Sequence, residues 1–153
     1  MRVLPAAAIL VWLGIMAFFA AVVAPAAFST LDREAAGRFV SVVFPRYYAA
    51  GAALGALALA GLGLRLALGP RRPWDGVALL LVAVMLATTL YAWLVVLPAA
   101  HAAREALRQT AAVPGVVSTE ALAFARLHRL SGLLNGAVML AGVLTLAAVG
   151  LRR

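Results

Sequence analysis

The stretch GVALLLVAVMLATTLYAWLVVLPAAHAA, residues 76–103, runs for 28 positions without an Asp, Glu, Lys or Arg. A hydrocarbon core of about 30 Å is crossed by about 20 apolar residues in a helix, so this run is long enough to span a bilayer. It reads as helix because backbone groups in lipid must bond within their own segment, and because it lacks the alternation of a barrel strand. Three further charge-free runs cover 3–31, 47–64 and 130–151, and the four together take 97 of 153 residues. The expected fold is therefore all-α, a four-transmembrane-helix antiparallel bundle forming one integral membrane domain over 1–153. Its spans are expected at about 4–27, 44–68, 74–98 and 120–151, the third continuing to about 108 as a surface helix.

Composition agrees. Hydrophobic residues make up 66% of the chain and the mean hydropathy is +1.06, too apolar for a disordered chain or for the surface of a soluble globule. The absence of cysteine excludes a disulfide-stapled secreted domain. All 13 basic residues are arginine, and with five acids the formal charge is +8. In a soluble domain that would suggest nucleic acid. Here the arginines lie between the apolar runs, so no nucleic-acid partner is expected and the lipid bilayer is the first partner.

The first run exceeds the 7–15 residues of a signal-peptide core and reads as a retained span. Between spans one and two, Ser29 and Asp32 form a variant capping box, and Glu34 and Arg38 stand at i and i+4. Leu31, Ala35, Phe39 and Val42 share a face. This segment is either a short amphipathic interfacial helix or an aqueous extension of helix two, and the fold expectation includes the former. Gly69, Pro70 and Pro73 punctuate the middle turn, and Pro114-Gly115 the last loop. Ser118 or Thr119 is positioned to cap helix four.

An internal repeat is legible. Val22-Val23-Ala24-Pro25-Ala26-Ala27 recurs as Val95-Val96-Leu97-Pro98-Ala99-Ala100 at an offset of 73, and Phe44, Arg46 and Leu54 recur as Phe124, Arg126 and Leu134 at an offset of 80. The chain thus reads as two repeated helical hairpins, a parallel repeat about an axis along the membrane normal. Gly51-x-x-x-Gly55 and Gly132-x-x-x-Gly136 place small residues on one face of helices two and four, a spacing that permits close helix packing. Six arginines (Arg2, Arg65, Arg71, Arg72, Arg152 and Arg153) lie on the side of the termini and seven on the other. The shorter loops of the first side favour cytoplasmic termini, and the expected location is a bacterial inner membrane.

Candidates for chemistry are few. No charged residue sits at a helix centre, which argues against carboxylate-driven transport, and no nucleophile–base pair or phosphate loop appears. His128, Ser131 and Asn135 fall at i, i+3 and i+7 on one helix face just inside the membrane boundary. Tyr47 and Tyr48 enter helix two at the corresponding level, and Arg126 flanks the group. Together they form a candidate polar pocket or ligand site, with an interhelical hydrogen-bonding cluster as the plainer reading of the same residues. His101 lies on the same membrane side, and His128 with His101 are the candidate metal ligands, for haem iron or copper. Arg38, Arg46, Arg104, Arg108, Arg126 and Arg129 share that side, where anionic headgroups or an anionic substrate would meet them.

Trp12-x-Gly14 leading to Phe28, Gly37 followed by Phe44-Pro45-x-Tyr47, Leu86-Ala87-Thr88 leading to Pro98, and Phe124-x-Arg126-x-His128-x-Leu130-Ser131-x-x-x-Asn135 together resemble the transmembrane-protein-205-like family of small four-span proteins. The resemblance implies a four-helix membrane bundle and no settled activity. Its vertebrate members are associated with platinum-drug resistance, which implies export or trafficking. A looser architectural likeness runs to copper-resistance and protoporphyrinogen-oxidase-type bundles, some of which bind haem through histidine. The functional expectation is an integral membrane protein without catalytic machinery, a small homo-oligomer or an accessory subunit of a larger membrane complex. The alternatives are a haem- or metal-binding redox protein using His128 and a small-molecule or metal-complex efflux component.

Overall fold

A computed structural model describes residues 3–70, 74–110 and 119–150. Among the described residues, four helices are long and apolar enough to cross a membrane: α1, Val3–Thr30; α2, Arg33–Leu68; α3, Asp75–Gln109; and α4, Thr119–Gly150. There is no strand among the described residues. Each helix packs against the next, and α4 closes the ring against α1. Arg2, Pro73, Arg71, Arg72, Pro114-Gly115, Ser118, Arg152 and Arg153 lie outside the described residues.

The inward faces follow a three-four spacing: Pro5, Ile9, Trp12 and Met16 on α1, Tyr48, Gly51, Gly55, Ala58 and Leu62 on α2, and Asp75, Ala78, Val82, Met85 and Thr89 on α3. On α4 the stripe passes through Ser131, Asn135, Val138, Gly142 and Thr145. A repeat near 3.5 residues is the signature of helices crossing at a shallow left-handed angle. At the end nearer the termini, Ala8, Ile9, Ala58, Leu62, Ala78 and Val82 fill the centre, and the next layer is Trp12, Met16, Met85 and Val138.

The repeat is visible in the backbone. α1 contains a π-helical turn at Phe19–Val23 and α3 one at Ala92–Val96, both followed within two residues by proline. Pro25 and Pro98 each lack an N–H and crowd the preceding turn, and an inserted π turn is one way a helix absorbs that. The two turns are separated by the same 73 residues as the sequence repeat. That offset carries buried Pro5, Ile9, Trp12 and Met16 onto buried Ala78, Val82, Met85 and Thr89. The offset of 80 carries Gly51, Gly55 and Ala58 onto Ser131, Asn135 and Val138 of the α4 stripe.

Two local expectations are corrected. No separate interfacial helix follows span one: Arg33–Leu68 is one helix of 36 residues that continues through Pro45. The cap is Asp32, whose Oδ1 accepts the Glu34 and Ala35 N–H groups at 2.9 and 2.8 Å. Ser29 and Thr30 instead turn back to the Ala26 carbonyl and close the end of α1. At 1.5 Å per residue α2 is about 54 Å long, well beyond a hydrocarbon core of about 30 Å. Its first turns therefore stand outside the membrane as a collar, together with the last turns of α3 and the first of α4.

Candidate functional site

The polar residues of the sequence meet near the collar end of the bundle. Tyr47 and Tyr48 project from α2 across the ring toward α4. The Tyr47 hydroxyl donates to Asn135 Oδ1 at 3.0 Å. Asn135 Nδ2 donates to the Tyr48 hydroxyl at 3.3 Å and to the Ser131 carbonyl at 3.0 Å. The Tyr48 and Ser131 hydroxyls are 3.2 Å apart. Tyr48 is 2% exposed, so burial of its hydroxyl requires these partners. Asn135 uses both its carbonyl and its amide, and the cluster is internally satisfied.

An aromatic wall backs the cluster. Phe19, in the π turn of α1, lies 5.2 Å from the rings of both Phe44 and Tyr47. Phe44 stacks on Tyr48 at 5.9 Å, and Tyr47 meets Tyr48 edge-on at 5.1 Å. These distances suit favourable aromatic pairing. Phe44 is legible in the sequence through its i, i+4 spacing to Tyr48; Phe19, on another helix, has no such local signal.

His128 and Arg126 do not join the cluster. Both are exposed, and the His128 ring stacks on Phe124 at 6.1 Å, one turn back on its own helix. Just before Ser131 the less exposed positions of α4 are Phe124 and Leu127, so the inward stripe passes through 127 and leaves 128 beside it. His101 is also exposed and lines a different feature, a groove on the collar with Arg38, Ser41, Arg104, Glu105 and Arg108. No hydrogen bond or ring contact joins the two histidines among the described residues. Nor do three or more His, Cys, Asp or Glu side chains gather there in an arrangement that could hold a metal ion.

The two glycine pairs part company. A Cβ at Gly51 would fall 2.7 Å from Trp12 Nε1, and one at Gly55 would fall 2.9 Å from the far edge of the same indole. Trp12 therefore lies in a trough that only glycine leaves open. Among the described residues Gly132 and Gly136 face no other helix, with no atom of a neighbour within 4 Å of a Cβ at either. They stand one residue round from the buried stripe, and the glycine of α4 that admits a neighbour is Gly142, against Leu13.

At the opposite end, Asp75 begins α3 and Arg65 lies in the last turn of α2. They form an ion pair with the Arg65 side chain 10% and the Asp75 side chain 2% exposed. Each charge suits its helix terminus, anionic at an N-terminus and cationic at a C-terminus.

The family model described as a domain of unknown function, DUF4149, matches residues 7–109. That stretch takes in most of α1, all of α2 and α3, and stops before α4. No curated protein and no solved structure matches the chain.

Proposed function

This chain belongs to the DUF4149 family, a domain of unknown function, and we propose that it is a non-catalytic membrane subunit that works as a small homo-oligomer assembled through α4. The observation that carries this reading is the open Gly132-x-x-x-Gly136 face. On α2 the same spacing receives Trp12 from a neighbouring helix; on α4 it receives nothing from the described residues. Exposed Leu133, Leu140 and Leu144 flank it, and a flat groove of small residues edged by leucine lets two helices approach closely in lipid. The satisfied Tyr47–Tyr48–Ser131–Asn135 cluster then serves to hold α2 and α4 in register behind that face.

This reading is preferred over the haem and efflux readings because the two histidines occupy separate exposed surfaces and the polar cluster bonds to itself. The ordered motifs from Trp12 to Asn135 support grouping the chain with the transmembrane-protein-205-like proteins. The short middle turn flanked by arginine supports cytoplasmic termini in a bacterial inner membrane, with the collar on the far side.

The chain contains no cysteine, so single cysteines report contacts between copies without background. Leu133→Cys or Gly136→Cys should form a disulfide-linked dimer in native membranes under mild oxidation, while Leu10→Cys and Leu80→Cys, on other exposed faces, should not. Gly132→Leu with Gly136→Leu should abolish the dimer with helix content unchanged. A wild-type chain that sediments as a monomer, or single-cysteine variants that cross-link equally at all four positions, would overturn the proposal.

A further inference from the structure

On the collar a groove of about 160 Å³ runs between the first turns of α2 and the last turns of α3. Arg38 and Ser41 line one wall, and His101, Arg104, Glu105 and Arg108 line the other. Glu34 holds the walls together: its Oε1 accepts from Arg38 Nη1 at 2.7 Å and from Arg108 Nη2 at 3.2 Å. Arg108 also approaches Glu105 at 3.6 Å. Arg104 is held differently. Its guanidinium lies over Gly37, where any Cβ would collide with it, and Nη2 donates to the Glu34 backbone carbonyl at 3.2 Å.

Among the described residues Arg104 pairs with no carboxylate. Three guanidiniums thus face two carboxylates. Each guanidinium carries five N–H donors in a planar fork, and the contacts above engage only some of them. These three arginines and His101 line one space with Ser41, whose hydroxyl donates to the Arg38 carbonyl at 2.7 Å. A fixed guanidinium fork matches the oxygens of a phosphate better than it matches a point charge. With the third span ending near Pro98, His101 is three residues further, about 5 Å along the helix, which is where headgroups would be met.

We propose that this groove is a binding site for a phosphate-type oxyanion, supplied either by the phosphodiester of an anionic lipid headgroup or by free phosphate. Arg104 is its central ligand, Arg38 and Arg108 close on the anion from the two walls, and Glu34 sets their spacing. Gly37 is required because it lets the Arg104 guanidinium cross α2. The site is independent of the α4 face and lies wholly within the region matched by the family model.

The test is a calorimetric titration of the full chain in a neutral detergent. The probes are dihexanoyl phosphatidylglycerol, dihexanoyl phosphatidylcholine and inorganic phosphate. Phosphatidylglycerol should bind saturably and more tightly than phosphatidylcholine. Arg104→Gln should weaken it about tenfold or more, the scale of a charge-assisted bond. Arg46→Gln is the control: it removes the same charge from the same membrane side, but Arg46 bonds the Val42 carbonyl of its own helix. It should change affinity less than about twofold, as exposed charges do. Should Arg104→Gln lose helicity, Arg108→Gln is read in its place. Competition by inorganic phosphate identifies the anion alone as sufficient, and phosphatidylglycerol binding without such competition identifies the headgroup. Absence of saturable binding by either, or equal weakening by Arg46→Gln, would overturn the proposal.

Discussion

Arg65 closes the α2–α3 hairpin onto Asp75 through a buried ion pair, the carboxylate almost wholly shielded. Removing one partner of a buried ion pair costs about 3–5 kcal/mol. Asp75→Asn and Arg65→Met should each lower the unfolding free energy in detergent by that order, while Arg65→Met combined with Asp75→Leu should recover most of the loss. Equilibrium unfolding followed by circular dichroism measures all three. If the double variant is as unstable as the sum of the singles, the pair is not a coupled unit.

Trp12 supplies a second test, because its indole occupies the trough of Gly51 and Gly55. Gly51→Ala and Gly55→Ala should destabilise by about 1–3 kcal/mol through overpacking. Gly142→Ala should act in the same direction through Leu13. Gly14→Ala and Gly63→Ala meet open space and should cost nothing. Thermal midpoints of the five variants in one detergent separate the two groups.

These contrasts show what the chain discloses before it folds. Charge-free length alone reveals the four spans, since lipid admits few alternatives to a helix. The offsets of 73 and 80 reveal the paired hairpins, because proline and the buried stripe recur together. Which face turns inward is far less legible. Lipid is as apolar as the bundle core, so hydropathy does not distinguish Gly136 on the outside from Gly142 on the inside. His128, Ser131 and Asn135 share a helix face, yet the stripe drifts along α4 and leaves His128 outside it. Ser29 and Asp32 are both competent caps, and only the end of α1 at Leu31 decides between them. Arg65 and Asp75 are ten positions apart across a turn, a pairing that periodicity within one helix does not report.

The Tyr47–Asn135 bond invites a double-mutant cycle. Tyr47→Phe removes the donor and Asn135→Leu removes the acceptor. Side-chain bonds within membranes couple by about 0.6 kcal/mol on average and up to about 1.7 kcal/mol. The cycle should return a coupling in that range, toward its upper end, because Asn135 also engages Tyr48. A coupling indistinguishable from zero would mean the cluster is incidental to stability.

Asp32 gives the chain an acid-sensitive point. Its carboxyl is held below the ordinary value of 3.8, first by the Ala35 N–H it accepts, which outweighs the opposing effect of desolvation, and further by the Glu34 N–H and the nearby Arg38 charge. A carboxyl whose folded value is depressed contributes its stabilisation fully above the unfolded value, and that contribution fades as pH falls through the folded value. The N-terminus of α2 should therefore hold unchanged from neutral pH down to about 4 and loosen below it. Amide exchange at Glu34, Ala35 and Ala36 reads this directly: protection relative to intrinsic rates should drop below that point in the wild type. In Asp32→Ala it should be low at every pH, because the carboxylate that accepts the first N–H groups is gone. Protection that is independent of pH in both proteins would show that Asp32 does not hold the start of the helix.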